Sequence, residues 1–141
     1  MSVSATISRR YILAFRTLAW LVVTVYLGQA VFAGQFLSGT YPALRLHRLG
    51  GTTADVVVFL AVAAAALLRW HAKGRQWPFW AALVLLLANQ AQNGAGAARL
   101  LTVHIPLGVI MVCGATVVAI SSSLPGLLTP QQSTPAGADH S

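Results

Sequence analysis

Four apolar stretches, at about residues 17–37, 54–70, 77–93 and 100–122, constrain this chain more than any other feature of it. The hydrocarbon layer of a bilayer is about 30 Å thick and takes about 20 helical residues to cross. Three of the stretches meet that length and the fourth is borderline. Such segments must satisfy their backbone hydrogen bonds internally, so they are helices. Composition agrees: 57% of the 141 residues are hydrophobic and 8% are charged, where soluble domains carry about 25% charge. The expected fold is an all-α integral membrane protein, a four-transmembrane-helix bundle.

Breakers set the limits of the helices. Pro42 and Pro78 suit the first turns of the second and third helices, where a missing N–H costs nothing, and "SSSLPG" stops the fourth. This divides the chain into an N-terminal segment (1–16), a membrane domain (17–123) and a tail (124–141). The tail is rich in Pro, Ser and Gln without a periodic apolar face, and is expected to be disordered.

The formal charge of +7 does not indicate nucleic-acid binding, because the cations lie at helix ends and form no basic patch. Arg9, Arg10 and Arg16 precede helix one, and Arg69, Lys73 and Arg75 join helices two and three. Arg45, Arg48 and Arg99 lie in the other two connections. Six against three places both termini in the cytoplasm. "SRRYILAF", followed by an apolar run ending "AVFA", also has the look of a twin-arginine or secretory signal, with cleavage after Ala33. The length of the run and the partner that a repeat gives this helix favour a retained first span.

That repeat appears on sliding the sequence by 57 residues without a gap. Gln35 then pairs with Gln92, Gly39 with Gly96, Leu44 with Leu101, His47 with His104 and Gly51 with Gly108; Trp20 also falls on Trp77. Two tandem helical hairpins (about 17–70 and 74–123) with pseudo-twofold symmetry about the membrane normal follow. His47 and His104 then sit at one level of the outer leaflet on opposite sides of the axis, facing each other. Each has a glycine four residues on, about 40° round the helix, at the head of a stripe of small residues.

Paired neutral imidazoles with space between them suit an iron porphyrin, which needs two axial ligands on opposing helices and cations near its propionates. Arg45, Arg48 and Arg99 lie at the right level for the propionates. The amides of Gln35 and Gln92 could orient an imidazole or bond a propionate. The competing reading is a non-catalytic membrane subunit or scaffold without a cofactor, in which His and amide groups only pack helices.

"LHRLGG" in helix two and "HIPLG" in helix four resemble the paired haem-ligand motifs of one four-helix half of the haem A synthase family. The chain is also similar to small uncharacterised four-helix bacterial membrane proteins of this pattern. The resemblance covers about residues 17–122. It implies one b-type haem (haem b) ligated by His47 and His104 in a bacterial cytoplasmic membrane, for electron transfer or haem handling. The chain departs from that family in having no Glu, no acidic residue in its first outer loop and no cysteine pair.

Cys113 has no partner and is expected to be a packed thiol. Two histidines on one side are too few for zinc. Asp55, the one acid within a span, is expected to cap or bridge polar groups near Arg99 or in the cluster Asn89, Gln90, Gln92, Asn93. A proton relay is the sharper reading of it. The amide cluster must face the bundle, water or a ligand, and a quinone head group is one possible occupant. Partners are therefore the lipid bilayer and a quinone or membrane redox protein. His71 reads as an interfacial residue beside Trp70 and Trp77. With no second histidine pair at that inner level, the isolated chain is not expected to carry electrons across the membrane.

Overall fold

The computed structural model describes residues 3–129, with side chains from residue 9 onward. Within them lie four helices: α1 (Val3–Leu37), α2 (Ala43–Trp70), α3 (Trp77–Ala97) and α4 (Leu101–Ser123). The ends follow the breakers. Pro42 is the residue before α2, Pro78 sits in the first turn of α3, and α4 stops at Ser123. The described part of the expected N-terminal segment instead continues α1 without a break, since no Gly or Pro intervenes before Gly28.

α1 and α3 each pack against both α2 and α4, which leaves α1/α3 and α2/α4 as the diagonals of a square. The buried face of α2 is Ala54, Val57, Val58, Ala61, Ala64, Ala65 and Leu68, at the three- and four-residue spacing of one helical stripe. α4 answers with Met111, Ala115, Ala119 and Ser122. So many alanines let the backbones approach closely, the usual basis of helix packing where lipid removes the hydrophobic drive. The circumference is apolar as well: Leu27, Val56, Phe59, Val109, Ile110 and Val117 are all exposed. Such a circumference is apolar enough to face lipid. Three helices, Arg9–Leu37, Ala43–Trp70 and Leu101–Ser123, are long and apolar enough to cross a membrane. α3, at 21 residues, carries the amides Asn89, Gln90, Gln92 and Asn93.

The end of the bundle that holds the α2–α3 connection is fastened by side chains. Arg16 Nε donates to the Ser122 carbonyl (2.5 Å), satisfying one of the last carbonyls of α4 with a cation, and Trp20 Nε1 donates to Ser123 Oγ (3.1 Å). Residues 124–129, expected as the start of a disordered tail, are ordered. Trp77 Nε1 donates to the Leu127 carbonyl (2.8 Å), and Leu128, 2% exposed, packs with Phe15 and Leu68. An apolar pair at 127–128 among polar residues supplies the physical reason. The rest of the tail, with His140, lies outside the described residues.

At the opposite end, α1 and α3 finish in the same capping geometry. After α1, Gly39 N donates to the Phe36 carbonyl and Thr40 N to the Gln35 carbonyl. After α3, Arg99 N donates to the Gly96 carbonyl and Leu100 N to the Ala95 carbonyl. This is the Schellman motif, which needs a left-handed residue just past the helix. Gly39 supplies it at φ +94° and Arg99 at φ +58°.

Candidate functional site

His47 lies in the second turn of α2 and His104 in the first turn of α4, so both project into the bundle at the Schellman end. Their helices are diagonal neighbours, and the rings meet across the centre with centroids 6.0 Å apart and planes at 76°. Each ring is held by a backbone carbonyl of the preceding helix. His47 Nδ1 lies 3.1 Å from the Gln29 carbonyl oxygen, and His104 Nδ1 lies 3.0 Å from that of Gln92. A carbonyl only accepts, so Nδ1 carries the proton in both rings. Nε2 is then the free lone pair, which is how metal-binding imidazoles are set.

Glycines make this fit possible. A Cβ on Gly96 would stand 2.9 Å from Cε1 and 3.1 Å from Nδ1 of His104, so the imidazole lies directly on the backbone of α3. A Cβ on Gly108 would stand 2.9 Å from Gln92 Nε2. At Gly51 the nearest atom would be Asn93 Oδ1 at 3.5 Å, an ordinary contact. Gly50 faces the amide of Gln29, which a Cβ there would displace. Pro106, inside α4 two residues after His104, leaves the Thr102 carbonyl without its helical donor.

The two histidine rings meet across the bundle, but the groups that hold them differ from the expected ones. Gln35 is exposed near the end of α1, and the carbonyl on His47 belongs to Gln29. The pair Gly39 and Gly96 also separates, one into a turn and the other into a helix. The cause is a length difference. His47 and its support are 18 residues apart, His104 and its support 12, so the first hairpin holds six more residues. With that gap, Phe15, Ala19, Val22 and Tyr26 of α1 fall on Pro78, Ala82, Leu85 and Asn89 of α3. All of these are buried except Leu85, which is half-buried. Arg45, Arg48 and Arg99 are exposed at the histidine end.

Deeper in the bundle, Asp55 Oδ1 accepts from Asn89 Nδ2 (2.6 Å), Gln90 Nε2 (2.8 Å) and Asn93 Nδ2 (3.0 Å); Asn93 also reaches Oδ2 (3.1 Å). The amide cluster is therefore the partner of Asp55, and three of its four members give N–H groups to one carboxylate. Position 55 is close to the middle of α2, where an acid costs about 2.5–3.5 kcal/mol on insertion scales. Two buried polar atoms have no hydrogen-bond partner among the described residues: the Tyr26 hydroxyl and Gln92 Oε1. Gln29, Tyr26, Gly50 and Gly96 were not singled out as site residues from the sequence. Allowing a gap in the repeat brings Gln29 opposite Gln92.

Cys113 is exposed on the outer surface of α4 and does not pack in the core. His71 is exposed at the other end, its ring centroid 6.2 Å from that of Tyr11. No three His, Cys, Asp or Glu side chains gather as a metal cluster among the described residues. Comparison with protein-family models, curated proteins and solved structures yields no match to this chain.

Proposed function

We propose that the protein is a membrane b-type cytochrome holding one haem between His47 and His104 and serving electron transfer. The observation that carries this reading is the facing histidine pair, each ring anchored through Nδ1 and presenting a free Nε2. The ring centroids lie 6.0 Å apart across the centre of the bundle, and His47 and His104 are the residues that would hold the iron, through their free ring nitrogens. Two buried polar atoms on the flanking helices, Gln92 Oε1 and the Tyr26 hydroxyl, have no hydrogen-bond partner among the described residues and would be free to meet a bound group.

Bound there, the haem would supply a one-electron couple, with His47 and His104 as the residues that would hold it. The chain's own contribution is to fix the ligand tautomers, exclude water with the apolar circumference, and offer Arg45, Arg48 and Arg99 to the propionates. The two hairpins act as a pseudo-twofold pair with a six-residue insertion in the first. Following the arginine distribution, the histidine end faces outward and both termini are cytoplasmic.

The test is the visible spectrum of protein purified after expression with ample haem. Wild type is expected to show sharp low-spin bands on reduction by dithionite. His47→Ala and His104→Ala should each give high-spin haem or lose it, the double substitution should abolish binding, and His71→Ala should change nothing. The competing role, a cofactor-free subunit whose rings merely meet edge to face, predicts a colourless folded wild type.

A further inference from the structure

We propose that Asp55 is the internal counter-ion of the oxidised haem and holds its midpoint potential low. The inference rests on the haem reading above. It starts from an imbalance of charge. Asp55 and Asp139 are the only acids of the chain, and no Lys or Arg occurs in residues 17–44, 49–68, 76–98 or 100–141. Asp55 is therefore the one side chain with a formal charge between the two ends of the described bundle. Its hydrogen-bond partners are neutral amides: Asn89, 2% exposed, Asn93, and Gln90 from the outer side.

Amides of this kind solvate an anion without cancelling its charge. A carboxylate kept that way in a low-dielectric region acts over distance, since no salt penetrates to screen it. Ferric iron in a dianionic porphyrin with two neutral imidazoles carries a core charge of +1, and the ferrous form carries none. Only the oxidised state is thus attracted to Asp55.

Geometry sets the size of the effect. Asp55 follows His47 by eight residues, about 12 Å along the helix and about 80° round it toward α3. One charge pair at about 12 Å in an effective permittivity of about 20 changes an equilibrium about tenfold. The redox step is a single electron passing from an external one-electron donor to the iron. No bond at Asp55 is made or broken.

The experiment is a spectroelectrochemical titration of the full-length, haem-loaded protein in lipid nanodiscs at one pH. Asp55→Asn keeps the shape and removes the charge; it should favour reduction about tenfold, an upward shift of about 59 mV for one electron. Asp55→Glu should stay within about threefold of wild type. Binding of ferric haem to the apoprotein should weaken in D55N by the same factor as the redox shift, because the two measurements close one thermodynamic cycle. Should D55N fail to fold, Gln90→Lys, which puts an ammonium beside the carboxylate from the exposed side, should give the same upward shift. A low-spin D55N whose midpoint stays within about threefold of wild type overturns the counter-ion role and leaves the haem reading standing. If D55N does not fold, an unshifted Q90K does the same. A colourless wild type removes both.

Discussion

The two hairpins solve one problem with different residues. Both turn a long apolar helix back on itself while delivering a histidine to the centre of the bundle. The first uses a five-residue connection with Gly39 in the left-handed position. The second uses three residues and puts Arg99 there. Left-handed backbone costs a non-glycine residue about 1–2 kcal/mol, and an arginine kept in it is an observed strain beside the proposed site. The second hairpin is also the tighter one: His104 lies on Gly96, while His47 is reached by a longer chain from Gln29. The first hairpin is thus built for an easy turn and the second for close approach.

The strongest challenge to that contrast is a methyl group at each helix end. Gly96→Ala should push the His104 ring off its Gln92 carbonyl, since Cβ would stand 2.9 Å from Cε1. Haem retention is expected to fall at least about tenfold, with a partial high-spin spectrum. Gly39→Ala has open space around it and should leave the spectrum alone while lowering stability by about 1 kcal/mol. Equal spectral changes in the two variants would break the comparison.

A smaller difference is expected deeper in the helices that carry the ligands. Gly108→Ala meets Gln92 Nε2 and forces that amide to swing, costing roughly 1 kcal/mol. Gly51→Ala meets only an ordinary contact and should be neutral or stabilising by up to about 1 kcal/mol, the helix-interior gain of Ala over Gly. Thermal unfolding of the two variants in one detergent measures the difference directly.

The smallest and most specific effect concerns Arg99. Arg99→Gly is expected to raise stability by about 1 kcal/mol, by relieving left-handed backbone, and at the same time to weaken haem retention. Gly39→Arg should lower stability by a similar amount with no compensating gain. A loss of stability in R99G would mean that the guanidinium is held by something other than the proposed cofactor.

The four helices were legible in the amino-acid sequence because a helix long and apolar enough to span a membrane is a matter of length and hydropathy. Pro42, Pro78 and the "SSSLPG" stop each act locally, and the helix ends follow them. His47 and His104 were legible for a different reason: the spacing of 57 residues survives intact between α2 and α4. The supports were hidden because an ungapped slide cannot see six residues added on one side only, and so it selected Gln35 where the bundle uses Gln29. Gly96 was visible only as the mate of Gly39. What it does depends on how closely α3 approaches α4, which no local pattern encodes. The burial of Leu128 was concealed in the same way, since two leucines in a polar stretch acquire meaning only beside Phe15 and Leu68.

The fastening of α1 to the last turn of α4 bears on how the protein is made. Chains emerge N-terminus first, so α1 and α2 are made before the helices that cover His47 and Asp55. α3 brings the amides that receive Asp55. Only when Ser122 and then Leu127 and Leu128 have been synthesised can Arg16 and Trp77 engage their carbonyl partners and close the ring. The facing imidazoles are therefore a product of the final stage of biogenesis. A shortened chain lacking residues 124–129 should keep the Arg16 and Trp20 bonds to the end of α4 and lose the Trp77–Leu127 bond and the packing of Leu128 on Phe15 and Leu68.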